Sequence, residues 1–553
     1  MRRARPAELA DESDAPRAFA PRAAPEGWLD LLHETPTLTA DPQLLRSAMR
    51  FGFESGDAGG LLSAAGGMGP SRFADESELA GLFVPRLVEG LMAIPTDEGL
   101  LVPDGAVLAQ TLLRPTNDPD DRSLRHGVLA ELVENDALQQ PLVECLVTLR
   151  EMRDLLDDRP MTTGETVKRK IELLTTVRRF FEQATGFASA NSALGRLGRY
   201  ATEVRELPVW SRLVDLLRQE SQATELRVRL VLDYGGKIRD YEVLERKHDA
   251  DNPLVRSPWR RLWERILGFL RGHRFGEHEV ILRILDDIFE GFEDALLPCF
   301  SLIHQLEFYA AALAFRARAQ AADLQVGLPT FESGGDVELA GLFNPLLLLV
   351  DGVKPVPCEL TLREDAMVLV TGPNSGGKTR MLQAVAMAQL FGQAGFFVPA
   401  ERARLVAAPK MFVSLIESAP ADHKEGRLGT ELMRVRRLFE RLEPGALVIL
   451  DELCSGTNPS EGIAIFEMVL GLLPRAKPRA LMTTHFLDAA RRLEGDAGAD
   501  LQFLQVELTK EETPTYQFVP GVAPTSLAHA VAARLGVTQE ELESLADKAA
   551  GSS

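Results

Sequence analysis

Apolar and polar positions divide the chain into a region with helical spacing and a later region with short apolar strands. In the first region apolar side chains recur every three or four residues, which is typical of amphipathic helices. This spacing covers residues 123–158, 165–183 and 277–322. In the second region, continuous apolar runs at 367–371 (MVLVT) and 447–450 (LVIL) predict buried parallel strands. Helical spacing returns at 380–391, so the pattern predicts a helical region followed by an α/β domain.

A short stretch within the helical region has a different period. Residues 226–244 alternate apolar and polar side chains around a turn at 233–237. This alternation predicts a β-hairpin. The pattern does not decide between a small structural insertion and a functional one.

A basic segment follows the predicted hairpin. Residues 256–274 contain six arginines and one glutamate, a formal net charge of +5, and their apolar residues have helical spacing. Much of the arginine set therefore lies on the polar face of a predicted helix. That face is a candidate for contact with a DNA backbone, a partner or a membrane surface, and an ordinary solvated face is an equally open interpretation. The candidate DNA contacts are Arg256, Arg260, Arg261 and Arg265.

A glycine-rich loop joins the strand at 367–371 to the helix at 380–391. Glycines let successive backbone N–H groups face one anion, and the helix N-terminus adds a positive dipole end. In this pattern Lys378 reaches the β- and γ-phosphates of a nucleotide, and Thr379 holds Mg²⁺. The candidate nucleotide-binding residues are Gly372, Pro373, Asn374, Ser375, Gly376, Gly377, Lys378 and Thr379.

Two further apolar strands end in residues that suit phosphoryl transfer. The run at 447–450 is followed by Asp451 and Glu452. The first carboxylate suits the magnesium shell, and the second suits the orientation or deprotonation of an attacking water. A run from 479 ends at His485, a candidate sensor of the γ-phosphate, because ligands of open α/β sheets collect outside the carboxyl ends of the strands. Glu452, His485 and Lys378 are therefore the candidate catalytic residues.

Four blocks in order resemble the ATPase domain of the MutS family of DNA mismatch-repair proteins. They are TGPNSGGKT at 371–379, DELCSGTNPSEG at 451–462, TTHF at 483–486, and YQFVPG at 516–521 with the segment 526–536. The resemblance spans about 339–536. It implies a P-loop, ABC-like ATPase that uses ATP and Mg²⁺, hydrolyses ATP slowly, and works as a homodimer with its nucleotide sites at the dimer interface. It also implies clamping on mismatched, branched or otherwise non-B-form double-stranded DNA, in repair of DNA damage or in recombination.

The resemblance also implies a domain order. We expect a disordered tail at 1–26, a helical core and lever region at 27–330 with a clamp-like insertion near 222–275, and the ATPase domain at 331–553. A last helix, which begins at the capping box 538–541, is expected to contribute to dimerisation. Too few residues precede the helical region for the family's mismatch-recognition domain, and too few follow the ATPase for a nuclease domain. We therefore expect neither of these two domains.

Two features of the sequence depart from the family pattern. The family carries a Ser-Thr-Phe-x-x-Glu-like signature that reaches the partner's nucleotide, whereas this chain reads EGRLGTE at 425–431. Arg427 and Thr430 are the candidate residues for that role. The family's His-Pro pair is changed to Asn344-Pro345. Phe343 is a candidate for the adenine pocket, with a plain core phenylalanine as the alternative.

Composition narrows the class of protein. Four cysteines lie far apart in 553 residues without a C-x-x-C pair, which indicates neither a zinc site nor a disulfide framework. No apolar run approaches the length that spans a bilayer, so we expect a cytoplasmic protein, associated with the nucleoid when it binds DNA. The formal net charge of −20 argues against coating of nucleic acid by bulk attraction, so DNA contact must be local.

Two other classes of function remain open. An ATP-switched scaffold that binds protein partners without touching DNA agrees with the acidic composition. A transport-type or chromosome-maintenance ATPase shares the phosphate loop and the Asp-Glu pair, but the chain has no Leu-Ser-Gly-Gly-Gln signature. The sequence does not identify the DNA structure that is bound, the repair pathway or the downstream repair proteins.

Overall fold

The computed structural model of the chain describes residues 22–25, 28–38, 42–43, 45–47, 49, 73–157, 163–222, 225–232, 238–247, 277–350, 352–364, 366–415, 426–454, 458–496, 501–525 and 537–550. The fold contains two compact units. The first unit consists of residues 1–69 and 131–307, and the second consists of residues 70–130 and 308–553. Together they contain helices, a mixed sheet and a mostly parallel sheet, as a multidomain α and α/β protein does.

The helices in the described part of the chain are as follows. They are α1 (Glu76–Leu79), α2 (Val84–Leu91), α3 (Gly105–Leu113), α4 (Pro119–Glu134), α5 (Gln139–Asp157), α6 (Thr163–Ala184), α7 (Leu194–Glu206), α8 (Pro208–Gln222), α9 (Glu277–Ala321), α10 (Lys378–Gln393), α11 (Gly426–Arg441), α12 (Pro459–Leu472), α13 (Leu487–Asp496) and α14 (Gln539–Ala550).

The strands in the same part of the chain are short. They are β1 (Arg22–Ala23), β2 (Thr37–Leu38), β3 (Ile94–Thr96), β4 (Gly99–Leu101), β5 (Glu225–Leu232), β6 (Ile238–Lys247), β7 (Thr330–Glu332), β8 (Val337–Leu342), β9 (Cys358–Leu362), β10 (Met367–Thr371), β11 (Arg402–Val406), β12 (Met411–Ser414), β13 (Leu447–Leu450), β14 (Arg479–Thr483), β15 (Leu501–Leu508) and β16 (Pro514–Pro520).

The first unit has a helical core, in agreement with the apolar spacing of the sequence. Aromatic side chains pack edge to face within it, with ring centroids 6.3 Å apart for Phe181 and Trp210 and 6.2 Å apart for Trp210 and Phe292. The helical pattern at 123–158 is interrupted in the structure, because Asn135 leaves the helical conformation (φ −123°, ψ 84°) between α4 and α5. Asparagine competes for backbone hydrogen bonds near helix ends, which accounts for a break at this residue.

Helix α9 is long and apolar. The expectation that no apolar segment is long enough to span a bilayer is wrong here, because Leu282–Ala321 within this helix has the length and composition of a membrane span. In the structure, 83% of the most apolar window of this segment is buried inside the protein. Burial of this kind is what the core helix of a folded domain shows. The helix also contains Pro298.

The hairpin expected from the sequence is present as β5 and β6. The two strands pair antiparallel from Glu225 opposite Lys247 to Leu232 opposite Ile238. The four candidate DNA contacts Arg256, Arg260, Arg261 and Arg265 lie outside the described residues. Their role therefore stays a prediction, as does the clamp-like insertion. The expected disordered tail at 1–26 is wrong at its end, because Arg22 and Ala23 form β1 and pair antiparallel with Leu38 and Thr37 of β2.

The second unit is built on a six-stranded sheet in the order β12-β13-β14-β10-β15-β16. The first five strands are parallel, and β16 runs antiparallel to β15. Strands β10 and β13 are buried at every position, as their continuous apolar runs predict. A four-stranded sheet in the order β7-β11-β8-β9 lies in the same unit. The parallel order places the carboxyl ends of β13, β14 and β10 side by side.

Residues 70–130 belong to the second unit, although the sequence prediction grouped them with the helical region. The amide of Met411, at the start of β12, donates to the carbonyl of Phe73 over 3.0 Å. Gln383 on α10 donates to the carbonyl of Gly81 over 2.9 Å. Both bonds join residues more than 300 positions apart, so no local pattern predicts them.

His126 on α4 is mostly buried near two arginines in the second unit. Burial, together with the charges of Arg122 and Arg125, lowers the pKa of His126 to about 4, and burial is the largest of these causes. Its Nε2 atom is buried and has no hydrogen-bond partner among the described residues. The folded protein therefore favours the neutral form of the His126 imidazole.

We expect His126 to make the second unit less stable at mildly acidic pH. The unfolded chain takes up a proton near the ordinary histidine pKa of about 6.5, whereas the folded chain resists it until about pH 4. The free energy of unfolding is therefore unaffected by His126 above pH 6.5 and falls as the pH drops from 6.5 towards 4. Between pH 7 and pH 5 the loss is about 2 kcal/mol. Urea unfolding at both pH values should show a smaller loss for His126→Gln than for the wild type. Equal losses would contradict this prediction.

Candidate functional site

The glycine-rich loop lies between the end of β10 and the start of α10. Gly372 and Gly377 have φ angles of 145° and 84°, a region that favours glycine. Close packing adds a second reason for glycine. A Cβ atom on Gly372 would lie 2.6 Å from Cγ2 of Val506, and one on Gly377 would lie 3.1 Å from the ring of Tyr516. Strand β15 and the bulged part of β16 thus pack directly against the loop.

Lys378 begins α10 and is only 4% exposed. Its ammonium donates to the carbonyl oxygens of Gly372 and Pro373 over 3.0 and 3.1 Å. It also lies 3.5 Å from Oε1 of Glu452. Burial of a charge is costly unless it has such partners. The loop therefore holds a positive charge at its centre, next to the N-terminus of a 16-residue helix.

Asp451 follows β13 and is 6% exposed. Each of its carboxylate oxygens accepts a hydrogen bond from a threonine hydroxyl. Thr379 Oγ1 donates to Oδ2 over 2.7 Å, and Thr483 Oγ1 donates to Oδ1 over 2.6 Å. These bonds connect the start of α10, the end of β13 and the end of β14. Three separate stretches of the sequence therefore meet at one point.

Glu452 lies next to Asp451 with its carboxylate partly exposed toward the loop. Its φ angle is 43°, which is uncommon for a residue with a side chain. Its backbone N–H donates to Oγ1 of Thr483 over 2.8 Å. The Glu452 carboxylate contacts the Lys378 ammonium. The predicted general base therefore lies next to the residue that is predicted to bind phosphate.

His485 follows β14 and lies at the same edge of the sheet. Its ring is half-buried and contacts the ring of Phe486, with centroids 4.2 Å apart. The structure shows no hydrogen bond from the His485 ring to the loop or to the two carboxylates among the described residues. Its role as a phosphate sensor stays a prediction.

Phe343 and Asn344 precede the loop in sequence and have different environments. Phe343 is 2% exposed, which agrees with the alternative of a core side chain, and its role in an adenine pocket stays a prediction. Asn344 donates to the carbonyl of Arg380 over 2.9 Å and to Oε1 of Gln383 over 3.0 Å. Asn344 therefore supports the first turn of α10 from outside the loop.

The candidate trans residues Arg427 and Thr430 fall on α11, and their side chains lie outside the described part of the structure. The adjacent Glu431 hydrogen-bonds to the thiol of Cys454, two residues beyond Glu452. The pKa of Cys454 is raised to about 11, first by burial and then by Glu431. Helix α11 is thus in contact with the loop that carries the two carboxylates.

Three residues of the site were not singled out from the sequence. They are Thr483, Val506 and Gln383. A signal existed for Thr483, because it is the last residue of β14 and polar residues at that end of parallel strands meet at one edge. Val506 and Gln383 act through packing and hydrogen bonds with distant segments, for which the local sequence gives no signal.

The residues present fit a magnesium nucleotide. Mg²⁺ prefers oxygen ligands, and the hydroxyl of Thr379 and the carboxylate of Asp451 supply them 2.7 Å apart. The ammonium of Lys378, the N–H groups of the loop and the N-terminus of α10 supply positive charge for phosphate groups. The donor set therefore suits a phosphate chain together with its metal ion.

Comparisons with known proteins point to one family. Residues 368–550 match the family model described as MutS domain V. The chain is similar to the protein named Endonuclease MutS2 of Thermus thermophilus, with 32% identity over 279 residues, 50% of this chain and 36% of that protein. For the Endonuclease MutS2 of Agathobacter rectalis the identity is 29% over 273 residues, 48% of this chain and 33% of that protein. The chain spans about a third of the length of these curated relatives.

Proposed function

We propose that this chain, which belongs to the MutS family, is an ATPase that couples ATP binding and hydrolysis to DNA binding. One observation carries the proposal. Lys378, Thr379, Asp451 and Glu452 come from two distant sequence motifs and meet at the carboxyl edge of the parallel sheet. This is the arrangement that phosphoryl transfer to water requires, because catalysis of that reaction rests on positioning and charge stabilisation.

In the proposed reaction ATP is hydrolysed to ADP and phosphate. Bound Mg²⁺ would neutralise charge on the phosphate oxygens. The loop N–H groups and Lys378 would bind the phosphate oxygens, and Thr379 and Asp451 would hold the metal ion. Glu452 orients the attacking water and accepts its proton at the carboxylate. In this role the second unit is a P-loop ATPase domain of the ABC type.

We further propose that the chain acts as a homodimer on DNA. The nucleotide sites would lie at the dimer interface. Arg427 and Thr430 are the proposed contacts to the nucleotide of the partner, and α14 would contribute to dimerisation. ATP binding biases such a dimer toward one arrangement and hydrolysis resets it, so slow turnover is expected. The ligand is mismatched or branched double-stranded DNA, and the setting is repair or recombination in the cytoplasm, at the nucleoid.

The net charge of −20 favours a second candidate function. An acidic protein is repelled by phosphate backbones except at local basic surfaces. The alternative is an ATP-switched scaffold that binds proteins and does not touch DNA. Both functions use the same nucleotide site, so the two proposals differ only in the partner.

Nucleotide binding and hydrolysis by the purified protein test the proposal. We expect ATP binding in the affinity range of about 1 μM to 1 mM that is usual for enzymes, together with slow release of phosphate that requires Mg²⁺ and stops when EDTA is added. ATP binding with no release of phosphate would show that the protein binds nucleotide but is not an ATPase. Absence of any nucleotide binding at about 1 mM ATP would contradict both candidate functions.

A further inference from the structure

Thr483 occupies the end of β14, between the two strands that carry the loop and the carboxylates. It is completely buried. We infer that Thr483 is a positioning residue, whose single hydroxyl fixes Asp451 and Glu452 together and thereby sets the affinity of the site for a divalent cation. The inference rests on the proposed function and names a residue whose role that function leaves open.

The direction of both hydrogen bonds at Thr483 follows from the groups involved. The backbone N–H of Glu452 is only a donor, so the Thr483 oxygen accepts the bond of 2.8 Å between them. The hydroxyl has one proton, and that proton is therefore available for Oδ1 of Asp451, 2.6 Å away. One side chain thus donates to the metal-ligand candidate and accepts from the backbone of the proposed base.

This geometry restrains the Asp451 carboxylate from both sides. Thr379 donates to Oδ2 and Thr483 donates to Oδ1, so rotation of the carboxylate breaks two hydrogen bonds. Hydrogen bonds that orient a metal-binding carboxylate raise its affinity for the metal, and their loss typically weakens binding about 10- to 100-fold. Of these two hydroxyls, that of Thr379 belongs to the predicted phosphate loop, whereas that of Thr483 lies at the end of β14.

The second bond acts on Glu452. Glu452 has a φ angle of 43°, and sparsely populated backbone angles persist at functional sites where surrounding contacts hold them. The bond from the Glu452 N–H to Thr483 is such a contact. It holds the backbone in the arrangement that places the carboxylate 3.5 Å from the ammonium of Lys378. The metal-ligand candidate and the base are thereby oriented by a common group.

Thr483→Val tests the inference because valine keeps the shape of threonine and removes the hydroxyl. Binding of Mn²⁺, a substitute for Mg²⁺, is measured by electron paramagnetic resonance in the presence of a non-hydrolysable ATP analogue. We expect metal binding about tenfold weaker than in the wild type, while binding of the analogue in EDTA stays close to that of the wild type. Thr483→Ser keeps the hydroxyl and should restore metal binding.

Controls separate this role from a general effect of a lost buried hydroxyl. Thr148 in the helical unit is also buried and donates to Oε1 of Gln183 over 2.9 Å. Thr148→Val should leave metal binding unchanged. If Thr483→Val does not fold, Thr483→Ala and Thr483→Ser provide the comparison, and serine should bind the metal about tenfold more tightly than alanine.

Two outcomes would overturn the inference. Equal Mn²⁺ affinity in the wild type and Thr483→Val would show that the hydroxyl does not set metal binding. Equally weak binding by Thr483→Val and Thr483→Ser would assign the effect to packing and not to the hydroxyl. A wild type that binds no nucleotide would instead overturn the proposed function and, with it, this inference.

Discussion

Lys378→Ala should lose nucleotide binding and should lower ATP hydrolysis by at least about 100-fold. The ammonium is almost completely buried and lies at the centre of the glycine-rich loop, where it donates to two loop carbonyls. Alanine removes the charge that would bind phosphate oxygens and leaves both carbonyls without this partner. Titration with a fluorescent ATP analogue measures the loss of binding, and phosphate release measures the loss of hydrolysis.

Lys354→Ala is a matched control, because it removes a surface lysine of the same unit. Lys354 is exposed and pairs with Asp323 across 3.0 Å, and exposed pairs of this type contribute little to stability. Lys354→Ala should therefore bind and hydrolyse ATP as the wild type does. Wild-type nucleotide affinity in Lys378→Ala would contradict the assignment of the loop as a phosphate site.

Glu452→Gln should bind ATP and hydrolyse it about 100- to 10,000-fold more slowly, the usual contribution of a general base. Glutamine keeps the size of the side chain but does not accept the proton of the attacking water. It also removes a negative charge 3.5 Å from the Lys378 ammonium, so ATP should bind at least as tightly as to the wild type. Single-turnover hydrolysis and nucleotide binding, measured on the same preparation, separate the two effects.

Glu467→Gln is the control for this substitution. Glu467 pairs with Arg492 across 2.9 Å at the surface of the same unit. Neither residue belongs to the glycine-rich loop or to the Asp451–Glu452 pair. Its substitution should leave hydrolysis unchanged. If Glu452→Gln hydrolyses ATP at the rate of the wild type, Glu452 is not the base, and another residue must orient the water.

The strands and the loop of the second unit were predictable because their signals are local. The predicted strand at 367–371 is confirmed with the same bounds as β10, and the predicted helix at 380–391 is confirmed within α10. The loop between them has glycines where φ is positive. The meeting of Asp451 with Thr379 was also predictable, because parallel strands bring their carboxyl ends to one edge.

Other features depend on contacts between distant segments and were missed. Residues 70–130 pack with the α/β unit through bonds such as that from Gln383 to Gly81, which join positions about 300 residues apart. The bulge in β16 that places Tyr516 against Gly377 depends on its pairing with β15. Apolar spacing predicts which face of an element is buried but not which element covers it.

Fluorescence anisotropy with labelled DNA tests the coupling of ATP to DNA binding most directly. The purified protein is titrated onto homoduplex, mismatched and branched DNA at two salt concentrations, with and without ATP and Mg²⁺. We predict binding that depends on ATP, prefers mismatched or branched DNA, and weakens as salt rises because local arginines contact phosphates. Failure to bind any of these DNAs under any condition would contradict DNA binding and would favour the ATP-switched protein scaffold.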